Sequence, residues 1–221
     1  MENPLDRTAT VAERCRAPER PGHEGYRRPF AAVNGGGGRY DGPMTLSRTP
    51  RRIVHWPDPV LLRKAAPVPS VDASIRELVD EMVRVMREEE GAGLAAPQVG
   101  ASLRIFVVEA REARDGDPAL PLGVYVNPRF ERLEGGVEPM DEGCLSLPGI
   151  EVEVRRPPFA AIVATDLEGR EFRLESSAVL ARIWQHEYDH LEGTLIVDRM
   201  GPLDRIANRR AIKALREAAE A

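Results

Sequence analysis

At 221 residues the chain is long enough for one domain with a real core plus an appendage. Its 42% hydrophobic and 30% charged residues are those of a globular protein, and a net charge of −5 argues against a general DNA or RNA binder. No apolar run is long enough to span a membrane, and two cysteines cannot build a disulfide framework. Of 31 basic residues only Lys64 and Lys213 are lysines, which reads as coding bias and not as a binding surface.

The first fifty residues are a different material. Seven Gly, six Pro, the run Gly35 to Gly38 and charges of both signs, without apolar periodicity, predict disorder. A secretory leader lacks its apolar segment here, and Glu2, Asp6, Glu13, Glu19, Glu24 and Asp41 are too many acids for a transit peptide. Met44 is the expected translation start, which leaves Cys15 and His23 without function. Residues 1–50 are thus expected to be a disordered Gly/Pro/Arg-rich extension, and 51–221 the folded domain.

Asp72 to Glu90 predicts a helix, with Ile75, Leu78, Val79, Met82, Val83 and Met86 along one face. Gly91 reads as its C-cap. Strands are expected over Leu103 to Glu109, Val124 to Asn127, Glu151 to Arg155, Phe159 to Asp166 and Glu171 to Glu175. Asp115 to Pro121 is a turn-rich loop, and Asp166-Leu167-Glu168-Gly169 reads as a hairpin turn. A helix follows, capped by Ser176 or Ser177 and stopped by Gly193, and a last helix runs from about Leu203 to Ala219. Strands clustered between helices without βαβ alternation predict the α+β class.

The first of those two late helices carries His186-Glu187-Tyr188-Asp189-His190. Positions i and i+4 project from one helical face, so both imidazoles can reach one metal ion. Glu187 lies about 100° round the helix, beside the metal, where it can take a proton from activated water. Val179, Leu180, Ile183, Trp184 and Leu191 form the adjoining apolar stripe. On its own the pentapeptide also fits an inert surface or core helix.

Catalytic metals usually have three protein ligands, and no histidine follows His190. Upstream, Glu142-Gly143-Cys144-Leu145-Ser146 offers a thiolate, and Gly143 would let backbone approach a ligand closely. The plain alternative for Cys144 is a buried apolar residue; its setting favours the ligand. Gly91-Ala92-Gly93-Leu94-Ala95-Ala96-Pro97-Gln98 surrounds a single amide with small residues. It lacks the Lys and Ser/Thr of a phosphate-binding loop.

These three segments, in this order, resemble peptide deformylases, whose signatures have the forms GxGLAAxQ, EGCLS and QHExDH. The chain reads GAGLAAPQ, EGCLS and QHEYDH, and the resemblance runs from about Arg52 through Asp198, including the opening His55 to Lys64. It implies mixed antiparallel sheets around a central metal-bearing helix, with a C-terminal helix, and makes 51–221 a metal-dependent catalytic domain. The implied reaction is hydrolysis of the N-formyl group from the initiator methionine of nascent polypeptides.

By the same resemblance Cys144, His186 and His190 would hold one divalent metal, typically ferrous iron, with nickel, cobalt or zinc as substitutes. Glu187 would be general base, and the Leu145 N–H and Gln98 amide would meet the oxyanion. Gly93 would present backbone to a substrate added as a strand, and Ala92, Val179 and Ile183 would line a methionine pocket beside Gly143. Glu142 and Asp189 would orient the imidazoles, or are ordinary surface carboxylates. Arg182 would sit at the pocket rim or face solvent.

A thiolate ligand implies a reducing compartment, the cytoplasm. Arg205, Arg209, Arg210, Lys213 and Arg216 collect on one side of the last helix, where they could dock it on the ribosome; Ile206, Ile212 and Leu215 would pack the other side. Two rival readings are a metalloprotease cleaving internal peptide bonds, which would need a downstream third ligand, and an inactive metal-binding relative. A structural site would need a fourth ligand, and Gln98 and Glu187 would serve no purpose in one.

Overall fold

The structure, a computed structural model, describes residues 51–110, 120–177 and 179–220. The expected extension over 1–50 lies outside the described residues, as does most of the Asp115 to Pro121 loop. Among the described residues no helix is long and apolar enough to cross a membrane.

Helix α1 (Ala73–Glu88) begins where Asp72 accepts the Ile75 N–H at 3.1 Å, satisfying one of the donors a helix start leaves unpaired. Strands β1 (Gly93–Ala95), β2 (Ile105–Ala110) and β3 (Leu120–Glu134) follow. Then come β4 (Glu138–Gly143), β5 (Glu151–Arg156), β6 (Phe159–Thr165) and β7 (Glu171–Ser176). Helices α2 (Val179–Glu192), α3 (Pro202–Ala207) and α4 (Arg209–Glu220) complete the domain.

Five strands form one antiparallel sheet in the order β1-β2-β3-β6-β7, while β4 and β5 pair only with each other as a separate ribbon. Strand β2 explains how the sheet sits between the helices. Ile105 and Val107 pack with α1 residues such as Met82 and Met86, whereas Phe106 and Val108 pack with Leu180, Ala181 and Trp184 of α2. Alternate side chains leave opposite faces of a strand, so α1 and α2 cover opposite faces of the sheet. The run from Ile105 to Val108 is apolar throughout because both its faces are buried. A third cluster joins Val152 and Val154 of the ribbon to Leu61, Leu147, Ile150 and Leu195, with Ala211, Ile212 and Leu215 of α4 packed on it.

The expected elements are present with instructive differences. Strand β3 runs 15 residues, far beyond Val124 to Asn127. It passes Pro128 through register shifts, and Asn127, at φ 50°, pairs its side-chain amide with both backbone groups of Val68 at 2.8 Å. Strands β1 and β4 were not expected: one is three residues long, the other (Glu-Pro-Met-Asp-Glu-Gly) contains few strand formers. Ser176 belongs to β7, and Ser177 lies between that strand and α2. The last helix is broken at Asn208, whose Nδ2 donates to the Glu151 and Asp204 carbonyls. Ile206 of α3, expected to pack on the domain, is 61% exposed.

Gly91 is not in the left-handed cap position; Glu90 is, at φ 54°. The Gly91 N–H reaches Met86 O at 2.8 Å and the Glu90 N–H faces Arg87 O, the paired bonds of a Schellman ending. A non-glycine residue in this conformation costs about 1–2 kcal/mol, of which glycine's greater unfolded freedom offsets about 0.4–1. Glu90→Gly should therefore stabilise the domain by about 0.5–1 kcal/mol, raising the thermal midpoint by roughly 1–4 °C. An unchanged or lower midpoint in calorimetry would refute the strain.

Candidate metal centre

Helix α2 lies against β1, β2, β6 and β7 with Trp184 and Leu191 fully buried beneath it. It stops at Gly193, φ 73°, where an added Cβ would sit 2.9 Å from backbone atoms of Arg63. The helix thus delivers His186, Glu187 and His190 to one place. Cys144 arrives from elsewhere, directly after β4, in a turn closed by the Leu147 N–H on Cys144 O at 2.9 Å.

The Cys144 Sγ stands 3.3 Å from His190 Nε2, and the ligand atoms of Cys144, His186 and His190 lie within 4.8 Å of one another. The two imidazole rings are 5.2 Å apart between centroids. His186 Nδ1 is 3.0 Å from Glu142 Oε2, so it carries the proton and leaves Nε2 as the lone-pair donor. Burial works against a charge on His186, yet the Cys144 sulfur and the Glu142 carboxylate outweigh it and raise its pKa well above the usual value. For His190, burial, the His186 charge and Arg156 all push the other way. One thiolate and two imidazoles suit a divalent transition metal.

Glu142 is 8% exposed and is no surface carboxylate. Its Oε1 accepts from Arg156 Nε at 2.7 Å and Arg182 Nη1 at 2.9 Å; its Oε2 accepts from Arg156 Nη2 at 2.8 Å as well as from His186. Burial opposes its ionisation, but the Arg156 and His186 partners win and hold its carboxyl well below the usual range. Asp189 faces Arg156 and Arg199 instead of an imidazole. Arg182 does not simply face solvent: its side chain is 11% exposed and donates to Glu142 and to the Val154 and Glu138 carbonyls.

Glu187 is 4% exposed, and its Oε2 has no hydrogen-bond partner among the described residues. Burial raises its pKa to about 7, against the pull of His186 and Arg156. Its carboxylate rests on Gly93: a Cβ there would lie 2.5 Å from Glu187 Oε1. Gly91 is close-packed in a similar way, since a Cβ there would meet the end of the Leu145 side chain at 2.9 Å.

Gln98 sits in a 3-10 turn, 2% exposed. Its Oε1 accepts the Ala95 N–H at 2.8 Å, which aims the amide nitrogen at Ser146 Oγ (3.3 Å) and Cys144 Sγ (3.6 Å). The Leu145 N–H makes no hydrogen bond with any described residue. The extended segment before these loops ties them together, with the Val54 N–H on Gln98 O and the Trp56 N–H on Ser146 O. Gly93 lies on the open edge of β1: Ala92 O already accepts from β2, so by ladder alternation Gly93 N–H and C=O point outward. Ala92 and Gly143 are exposed, and an added Cβ on Gly143 would meet nothing nearer than Ile150 O at 4.0 Å. Val179 and Ile183 are half-buried, Ile183 partly against the α2 core.

Sequence reasoning missed Arg156, Gln185 and Ser146. Arg156 shares the inward side of β5 with Val152 and Val154, so strand alternation carried the signal. Gln185 Nε2 reaches Pro157 O at 3.0 Å and anchors the turn just after Arg156.

An α+β fold that brings a Cys/His/His donor set beside a buried carboxylate defines a protein with a candidate metal site of three donors among the described residues. The model of the polypeptide deformylase family matches residues 50–206, and the chain belongs to that family. It is 44% identical over 153 residues to peptide deformylase 1B of Arabidopsis thaliana, covering 69% of this chain and 55% of the relative. With the peptide deformylase of Chlorobaculum parvum it shares 43% over 162 residues, 73% of this chain and 86% of the relative. The chain thus spans about half the length of the plant relatives, 55% and 53%, and most of the bacterial one. Among solved structures, a plant peptide deformylase 1B superposes with a TM-score of 0.72 at 40% identity, covering 79% of this chain and 93% of that one. One from Plasmodium falciparum gives 0.70 at 34%, covering 76% and 96%.

Proposed function

We propose that the chain is a peptide deformylase, a hydrolase that removes the N-formyl group from the N-terminal methionine of new polypeptides and releases formate. The observation that carries this reading is the convergence of Cys144, His186 and His190 within 4.8 Å beside buried Glu187. Those three residues hold one divalent cation, ferrous iron in preference to nickel, cobalt or zinc. When bound, the cation supplies Lewis acidity for activating water and polarising the formyl group.

The chain's own groups do the rest. Glu187 accepts a proton from the attacking water and delivers it to the departing amine nitrogen. Burial raises its pKa to about 7, and a nearby cation would favour the carboxylate needed to start. The Leu145 N–H and Gln98 Nε2 donate to the developing oxyanion; Gln98 is already oriented by Ala95. The substrate chain adds to the open edge of β1 through Gly93, its methionine side chain against Ala92, Val179 and Ile183, near Gly143.

Formate release from formyl-Met-Ala-Ser, run beside cleavage of unformylated casein, tests the reading. Casein cleavage without formate release would favour the internal protease, and neither activity would favour an inactive relative. Residues 51–221 carry this activity. A chain beginning at Met44 should match the full chain in formate release and thermal midpoint, and a large loss in either would make residues 1–43 functional. The enzyme works in the cytoplasm, where a thiolate ligand stays reduced.

The C-terminal helices dock the enzyme on the ribosome through exposed Arg205, Arg209 and Arg210, which have no ion pair among the described residues. Lys213 pairs with Glu217, and Arg216 stacks over Trp56 at 5.2 Å. Removing α4 would also strip Ile212 and Leu215 from the core, so charge reversal is the better probe. Arg209→Glu with Arg210→Glu should lower ribosome co-sedimentation at low salt, and moderate salt should weaken the unaltered protein too. Equal binding by both proteins would rule the docking out.

A further inference from the structure

The three donors reach the centre on two separate pieces of the fold. The imidazoles ride on α2, while Cys144 follows β4, whose ribbon shares no strand pairing with the five-stranded sheet. No backbone ladder therefore sets the distance from thiolate to imidazoles. Isolated backbone bonds and side chains must fix it, and among the side chains Arg182 is placed to do so.

Arg182 lies one helical turn before His186, on the same face. Its Nη1 donates to Val154 O on β5 at 3.0 Å and to Glu142 Oε1 at the end of β4; its Nη2 donates to Glu138 O at the start of β4 at 2.7 Å. One guanidinium thus grips the ribbon at three points, on both strands and at both ends of β4. The side chain is 11% exposed, so water competes weakly for the two bonds of Nη1, while the bond to Glu138 O lies nearer the surface. Glu142 joins the two turns, accepting from Arg182 on one oxygen and from His186 on the other. With Arg156 on both oxygens, all four lone-pair positions of that carboxylate are used.

We propose that Arg182 is a positioning residue for the metal centre: pinning the β4–β5 ribbon to α2 one turn ahead of His186, it sets the separation between the Cys144 thiolate and the two imidazoles. The inference rests on the assignment of Cys144, His186 and His190 as ligands. Arg182 touches neither metal nor substrate in this role. It acts through the ribbon and through Glu142.

The test uses Co(II) as probe in the full chain, because the thiolate-to-cobalt charge-transfer band reports the sulfur contact directly. Arg182→Met keeps the bulk of the stem and removes every donor. Arg182→Lys keeps the charge but replaces the planar fork with one compact ammonium that cannot span all three acceptors. Arg104→Met is the control: Arg104 also straps α2, through Glu192 and Tyr188, but away from the ribbon.

Chelator competition should show cobalt bound roughly 10–100-fold more weakly by Arg182→Met, the usual effect of losing a partner behind the ligands. The charge-transfer band should shift or weaken, and kcat should fall with KM within about twofold. Arg182→Lys should lie between, and Arg104→Met should keep the band and the affinity even if its thermal midpoint drops. Should Arg182→Met fail to fold, Arg182→Lys decides, and binding within twofold of the parent overturns the proposal. An unchanged band and affinity in Arg182→Met, or a rise in KM alone, also overturns it. If the parent chain itself binds no cobalt, or binds it without the sulfur band, the ligand assignment falls and the inference with it.

Discussion

Glu187→Gln should retain the metal and lose turnover. The substitution conserves shape and removes the ability to accept a proton. General acid–base catalysis of this kind is worth about 10²- to 10⁴-fold, so formate release should drop by that much. Glu187 is suited to the task by its surroundings. It is 4% exposed, its Oε2 has no bonding partner among the described residues, and burial has lifted its pKa to about 7. An amide also removes a charge from a pocket that already gives one carboxylate, Glu142, four hydrogen bonds. Metal content per chain, measured with the kinetics, separates loss of the base from loss of the ion. Near-parental activity at full metal occupancy would show that another group moves the proton.

Gly93→Ala should be nearly as damaging to activity while sparing the fold. The new methyl would stand 2.5 Å from Glu187 Oε1 and 2.9 Å from its Cδ, closer than carbon and oxygen tolerate. The group that must yield is the end of a side chain, and it can swing aside at small cost in stability. It cannot do so and still meet the substrate, since a displacement near 1 Å at a reacting group can cost about 10²-fold. A fall in kcat of that order with a thermal midpoint close to the parent is the expected pair of results. A retained kcat would mean that Glu187 tolerates the shift; a collapsed midpoint would make Gly93 a residue of the fold. The glycine had been expected only to bare its backbone to substrate, and the structure adds that it houses the carboxylate.

How far these sites can be read without coordinates depends on the range of the interaction. His186, Glu187 and His190 were legible together because helical periodicity is a local rule. Cys144 and Gln98 stood out through their small-residue settings, and the helix and strand patterns around them gave the α+β class. Glu142 was an even choice between surface and site. Its partners Arg156 and Arg182 lie 14 and 40 residues away, and pairing over such distances leaves no local mark. Strand β4 was invisible for a related reason: it exists because β5, with its clear alternation, supplies the other half of the ladder. The break at Asn208 is set by a carbonyl on β5, 57 residues distant.

The two outer strands of the large sheet are finished in opposite ways. β7 presents Glu171, Arg173 and Glu175, each paired to charges on β3, so a second chain arriving there would meet a fence of ions. β1 is three residues long, small and uncharged, and leaves its outward backbone groups available at Gly93. An edge of that length has no room to template a long strand, which guards against self-association. It can still accept the first few residues of a chain end. Because such contacts are made to the main chain, they are indifferent to which side chains follow the first. On the proposed function, a short bare edge makes the enzyme a generalist beyond the first residue, able to serve a whole proteome with one site.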